Sequence, residues 1–267
     1  MTVRIISAIV IIAIFVPFLI IGDLPFALFM SVLAIGGLYE LIKVRESQKK
    51  FPITLKIIAY IMTIAFCMYN FDSIEFQSNF DYRVMAAILF LFLSPIVLIN
   101  DFDKYNFNDA LYLIGSLLFV GLSFNVIVIA RNLDLAYLLY LLLITTITDT
   151  FALITGQLVG KHKLCPKISP KKTVEGLVGG VLMGTFVSTA FYFTVINSNV
   201  SLVLLIFATA LLCLVGQLGD LVFSSIKRYY KVKDFSNLIP GHGGVLDRFD
   251  SLVFVAFAFI ILKGIIF

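Results

Sequence analysis

The chain is short of charge. Only 13% of its 267 residues are Asp, Glu, Lys or Arg, while 61% are hydrophobic. A soluble domain carries about a quarter charged and about half apolar residues, so there is too little polar surface here to coat one. Disorder is excluded on the same ground, because it needs low hydrophobicity. Cysteine is scarce: Cys67, Cys165 and Cys213 are odd in number and far apart, which implies no disulfide framework. His162-x-x-Cys165 has the spacing of half a zinc site, but the chain holds no second half. The net charge of +4 is too small to point to nucleic acid. The first apolar run lacks a small-x-small cleavage site and is followed almost at once by a second, so it reads as a retained helix rather than a signal peptide.

What the chain does have is long apolar runs. A bilayer-crossing helix takes about 20 largely apolar residues, and nine stretches come near that: 5–22, 24–42, 53–71, 84–100, 110–130, 136–158, 175–196, 201–224 and 250–267. The expected fold is therefore all-α, a polytopic integral membrane protein with about nine transmembrane helices. Gly22, Asp23 and Pro25 mark a tight link between the first two, which predicts a helical hairpin. Cytoplasmic loops carry the excess of Lys and Arg. With the N-terminus inside, Arg4, Lys43, Arg45, Lys49, Lys50, Lys104, the five lysines of 159–174, and Lys227, Arg228, Lys231, Lys233 and Arg248 all fall inside. Only Arg83, Arg131 and Lys263 fall outside, with Lys56 within a span. That asymmetry predicts the N-terminus in and the C-terminus out.

Ionisable groups inside a span cost about 2.5–3.5 kcal/mol even on lenient insertion scales, so each needs a reason. Glu40 and Lys56 lie near the basic loop 43–52 and are expected to snorkel to the interface. Asp149 and Asp220 differ. Thr145, Asp149, Ala152 and Gly156 share one face of the sixth span, and Gln217, Asp220, Ser224 and Lys227 share one face of the eighth. Each stripe runs into one of two polar loops, 159–174 and 225–249. Polar residues in spans often serve only interhelical hydrogen bonding, but two acidic stripes ending at two lysine-rich loops favour a site.

The first loop contains Ser169-Pro170-Lys171-Lys172-Thr173 just before the seventh span. Hydroxyls and cations at a helix start suit an anion, and Thr173 can also serve as an ordinary cap. Gly176, Gly179, Gly180 and Gly184 then allow close helix packing and need no other role. In the second loop, Lys227, Arg228, Lys231 and Lys233 supply positive charge, and Gly241, Gly243 and Gly244 flank His242 and let backbone N–H groups approach an anion. Asp247 and Asp250 stand three apart at the start of the ninth span, where carboxylates can hold a hard cation such as Mg²⁺ together with a phosphate. Asp250 reads equally well as a helix N-cap.

Residues 224–250 resemble the signature of the phosphatidate cytidylyltransferases, S-x-x-K-R-x-x-x-x-K-D followed by H-G-G-x-x-D-R-x-D. It stands here as Ser224-x-x-Lys227-Arg228, Lys233-Asp234, and His242-Gly243-Gly244-x-x-Asp247-Arg248-x-Asp250. Asp149, the 169–173 stretch and Glu175-Gly176 look like the family's second motif. The resemblance implies that CTP and phosphatidate give CDP-diacylglycerol and pyrophosphate. It further implies Asp220 and Asp247 at a metal centre with Asp250, and Asp149 behind them. Lys227, Arg228, Lys233 and Arg248 would clamp phosphates, Ser224 would lie beside them, and Ser169, Lys171 and Lys172 would bind phosphate from the other loop. His242 would bind phosphate or hold the glycine turn. Mg²⁺ is the implied cofactor, K⁺ the candidate second cation, a bacterial-type inner membrane the expected location, and a homodimer the expected assembly. On this reading residues 1–105 are N-terminal membrane helices known by hydropathy alone, and 106–267 form the catalytic region. CTP-dependent polyprenol kinases are distant relatives of the pattern. The D-G-x-x-A-R motif of CDP-alcohol phosphotransferases is absent, and so are the internal repeats expected of a transporter.

Overall fold

The computed structural model describes residues 2–69, 71–72 and 82–263. Asn70 within the expected third span, the last four residues of the ninth, and the side chain of Arg4 lie outside the described residues. Among the described residues nine α-helices are present: α1 (Thr2–Ile21), α2 (Asp23–Glu46), α3 (Ile53–Cys67), α4 (Tyr82–Ile99), α5 (Phe107–Leu133), α6 (Leu135–Val159), α7 (Val174–Phe191), α8 (Leu202–Tyr229) and α9 (Leu246–Lys263). They follow the nine apolar stretches closely, because a backbone in lipid must satisfy its own hydrogen bonds and a helix does so within one segment. α2, α4, α5, α6, α8 and α7, which continues through a π-helical turn at Tyr192–Ile196, are each long and apolar enough to cross a membrane. α1 is an apolar helix of 20 residues, α3 is apolar but only 15 residues long, and α9 carries Asp247, Arg248, Asp250 and Lys263 within 18 residues.

Several features depart from the sequence reading. Residues 159–174 are not an open loop: β1 (Lys163–Cys165) and β2 (Ser169–Thr173) pair antiparallel, with Lys163 opposite Thr173 and Cys165 opposite Ser169. The second polar loop is shorter than 225–249, since α8 runs on to Tyr229 and α9 begins at Leu246, making Lys227 and Arg228 helical. Asp250 is therefore not an N-cap. It sits inside α9, where its carboxylate accepts a hydrogen bond from the Ser251 N–H at 2.8 Å. Thr173 does cap α7, accepting from the Gly176 N–H at 3.1 Å.

The chain forms two compact units. The first comprises residues 1–133 and 234–245. Its core is built from Leu38, Leu55, Phe66, Phe92, Leu113 and Leu117 on α2 to α5. The link between α1 and α2 turns at Gly22 (φ 74°), and the Arg131 guanidinium occupies the space a side chain would need there while donating to the Leu19 and Ile20 carbonyls. Asn106 and Asp109 start α5 as a reciprocal cap, each side chain taking the other's backbone N–H. Asp109 is fully buried and neutralised by Arg45 and Lys49 at 3.1 and 2.5 Å. Glu40 does not snorkel. It is fully buried and held by donors from 234–245.

The second unit comprises 134–233 and 246–267: α6 to α9 with the hairpin. α6 and α7 cross very closely. A Cβ on Gly180 would lie 2.6 Å from the Thr148 carbonyl oxygen and 2.7 Å from Gln217 Nε2, so the predicted small-residue packing is required here. Leu182, Phe186 and Phe207, which do not line the cavity described below, remain exposed, the arrangement expected of surface that meets lipid.

Candidate active site

In the second unit both acidic stripes face one cavity. Its volume is about 620 Å³, and its walls include Asp149 and Gly156 of α6, Lys163, Lys171 and Lys172 of the hairpin, Gln217 and Asp220 of α8, and Asp247 and Asp250 of α9. Helical spacing brings them there. Asp149, Ala152 and Gly156 lie along one side of α6, and Gln217 and Asp220 are one turn apart on α8. The hairpin is pinned at its base by Glu175, which takes the Lys161 N–H at 3.1 Å and meets His162 Nδ1 at 2.6 Å. That pin holds β2, with its two lysines, against the helices.

The carboxylates are not left alone. Lys172 Nζ lies 2.6 Å from Asp220 Oδ2, and Ser224 Oγ donates to Asp220 Oδ1 at 3.3 Å. Lys227 Nζ lies 2.7 Å from Asp247 Oδ1, with only 11% and 5% of the two side chains exposed. Ser251 Oγ donates to Asp149 Oδ2 at 3.3 Å. Asp149, Asp220 and Asp250 are close enough to repel one another, while Lys172 attracts Asp149 and Lys227 attracts Asp250. Lysines thus stand against the acidic cluster of the cavity.

Other predicted residues are placed elsewhere. Ser169 opens β2 opposite Cys165. Arg228 directs its guanidinium to the Ile168 and Val232 carbonyls. Lys233 and Arg248 are exposed. None of these four lines the cavity. His242, Gly243 and Gly244 belong to the segment that folds with the first unit. There Gly241 and Gly243 take φ of 76° and 85°, and the turn is closed by Ile239 N–H to the Gly243 carbonyl and His242 N–H to the Ile239 carbonyl, each at 2.9 Å.

The chain matches the cytidylyltransferase family over residues 2–266. It belongs to that family. It is 38% identical over 255 residues to the phosphatidate cytidylyltransferase of Staphylococcus haemolyticus, and 39% identical to those of Staphylococcus saprophyticus and Staphylococcus epidermidis. Each alignment covers 96% of both chains. This cytidylyltransferase is thus a membrane-embedded nucleotidyltransferase, and its relatives are bacterial.

A cytidylyltransferase handles polyphosphate, so the fit of a cation to this cavity can be tested on its donors. Asp149, Asp220, Asp247 and Asp250 offer only oxygen, the choice of a hard divalent ion. Among the described residues no three His, Cys, Asp or Glu side chains are assembled to hold an ion. Two of the four aspartates are bridged to lysine instead. The donor chemistry fits a metal, while the arrangement is that of a lysine-neutralised site.

Several residues at the cavity were not singled out as site residues from sequence. Lys163 was one lysine in a basic run. Gln217 lies on the α8 stripe, where its spacing alone implies no role. It is 1% exposed, and its amide nitrogen has no hydrogen-bond partner among the described residues. Ser251 adjoins Asp250, yet nothing in the pattern tied it to Asp149, 102 positions away.

Proposed function

We propose that this chain catalyses attack of phosphatidate on CTP, giving CDP-diacylglycerol and pyrophosphate. A phosphatidate oxygen forms a bond to the α-phosphorus of CTP while the bond from that phosphorus to the β-phosphate bridging oxygen breaks, and pyrophosphate leaves in line. Such a transfer is mostly positioning and charge neutralisation. The observation that carries the reading is one cavity in which four aspartates of α6, α8 and α9, far apart in sequence, meet three lysines of the hairpin. Lys171 and Lys172, with Ser169, are proposed to receive one phosphate group from the hairpin side. Lys227, Arg228, Lys233 and Arg248 receive the other from the α8–α9 side, with Ser224 orienting Asp220. His242 is proposed to serve by holding the Gly243-Gly244 turn. Gln217 offers a buried N–H donor to the cavity.

Asp220, Asp247 and Asp250 are the residues proposed to hold Mg²⁺, with Asp149 supporting them and K⁺ as a candidate second cation; the bound metal would offset phosphate charge. We place the catalytic region within 106–267, the active site toward the cytoplasm of a bacterial inner membrane with the N-terminus in and the C-terminus out, and two copies in the working assembly. Lipid tails enter laterally and the nucleotide from the cytoplasm. The test is purified protein in detergent with phosphatidate, CTP and Mg²⁺. Pyrophosphate and a CDP-lipid are expected. Release of CDP would mark a lipid kinase, and absence of either product would remove the enzyme assignment.

A further inference from the structure

We propose that Glu40, far from every motif, is the positioning residue that closes the 236–245 loop and so sets the His242-Gly243-Gly244 turn. This rests on the proposed reaction for its link to turnover, but not for its structural content. Glu40 lies in the C-terminal third of α2 and is fully buried. A carboxylate inside a membrane helix persists only where donors satisfy it. Here one oxygen, Oε1, takes both ends of the loop: Ser236 Oγ donates at 2.6 Å and the Val245 backbone N–H at 2.8 Å. A single atom thus closes a ten-residue span of chain. Inside it Leu238 N–H donates to Ser236 Oγ at 3.2 Å, and the Ile239–Gly243 bridge completes the turn. Ser7 Oγ adds a third tie, to the Pro240 carbonyl at 2.7 Å.

Gly244 shows how tightly the fit is drawn. Any Cβ there would overlap the Glu40 carboxylate. The glycine is required by a charge that the protein itself supplies. Two residues after Val245 the chain reaches Asp247, and three after it Arg248. The N-terminal helices, whose sequence shows only hydropathy, therefore contribute a charged fixture for the signature segment. A displacement of about 1 Å at a reacting group costs roughly a hundredfold in rate, which is the scale expected when the clasp is lost.

The experiment combines steady-state kinetics with amide hydrogen exchange on the full-length protein in detergent. Glu40→Ala should lower kcat about a hundredfold, with KM for CTP changed far less, and the Val245 amide should lose its protection. Glu40→Gln keeps an acceptor oxygen but loses the charge that roughly doubles the bond strength, so its loss should stay near tenfold. Ser236→Ala should cost a few-fold alone and nothing further on top of Glu40→Ala, because its effect runs through Glu40. Gly244→Ala should be severely impaired and should regain activity when combined with Glu40→Asp, which draws the carboxylate back by one carbon. Wild-type turnover in Glu40→Ala, unchanged Val245 exchange, multiplicative losses with Ser236→Ala, or no rescue by Glu40→Asp would each overturn the proposal. Should Glu40→Ala fail to fold, the Gln variant and the Gly244 rescue decide it. If the wild type makes no CDP-lipid, the reaction assignment fails, and the clasp stands or falls on the Val245 exchange alone.

Discussion

The Lys227–Asp247 pair gives the sharpest quantitative test. Its atoms are 2.7 Å apart, and the side chains are 11% and 5% exposed. In so enclosed a place the gross attraction is large, at about 6 kcal/mol for an effective dielectric of 20. Most of it offsets the desolvation of two ions, so the pair itself adds little net stability. Removing one partner is another matter, because the remaining charge loses its nearest counter-charge in an enclosed place, at a cost of about 3–5 kcal/mol. Lys227→Met and Asp247→Asn should therefore each destabilise by about 3 kcal/mol or more, while the double variant should cost far less than their sum. Unfolding in a graded detergent–denaturant series reads these values, and pyrophosphate release is followed in parallel. Stability should return in the double variant and activity should not, since both charges are proposed to work on substrate. Additive destabilisation would show that the two groups are not an enclosed pair. Recovery of turnover in the double variant would show that neither charge serves the reaction.

Other consequences are as direct. Asp220→Asn and Asp250→Asn should each lose turnover by about 10²-fold or more while inserting normally, read as pyrophosphate release from detergent extracts; near-normal rates would remove that residue from the centre. Gly180→Ala drives a methyl group into the Thr148 carbonyl and Gln217, so it should lower stability by about 1–3 kcal/mol in the same unfolding series, with the α6–α7 crossing forced apart. Fusion reporters should read hairpin 163–173 as cytoplasmic and a tag after Phe267 as outside; the reverse in both places would invert the topology. Mn²⁺ as a Mg²⁺ probe should bind weakly alone and more tightly with CTP, because lysines already hold two of the four aspartates; equal affinity with and without CTP would contradict that account.

How much of this was legible in the sequence depends on the range over which each cause acts. Span positions were readable because an apolar run of membrane length has few other outcomes. The cavity was half readable. Helical periodicity put Asp149 on one stripe and Gln217 with Asp220 on another, and nothing in a sequence says that two stripes face each other. The hairpin is not legible because β1 is three residues long and its strands hold three lysines and a proline among eight residues, a composition that reads as loop. The burial of Glu40 is not legible because snorkelling is the ordinary outcome for a carboxylate near a helix end. Its partners, Ser236 and Val245, lie 196 and 205 positions away.

The signature segment also reads as one continuous site when only its spacing is known. In the folded protein its charged flanks and its glycine turn have different jobs. Asp220, Asp247 and Asp250 belong to a cavity where lysines already answer carboxylates, whereas the turn at 241–244 wraps a carboxylate of α2. Four aspartates without cations would repel a polyphosphate. With Lys172 on Asp220 and Lys227 on Asp247, the cavity can keep ionised oxygens in an apolar helical unit and still admit an anion. On the proposed reaction the same lysines are well placed to exchange a carboxylate for a phosphate oxygen, a swap between like acceptors that leaves no ammonium group unmatched. Paired charge of this kind contributes little to stability, but it keeps strong phosphate-binding groups fixed beside oxygen donors suited to a cation.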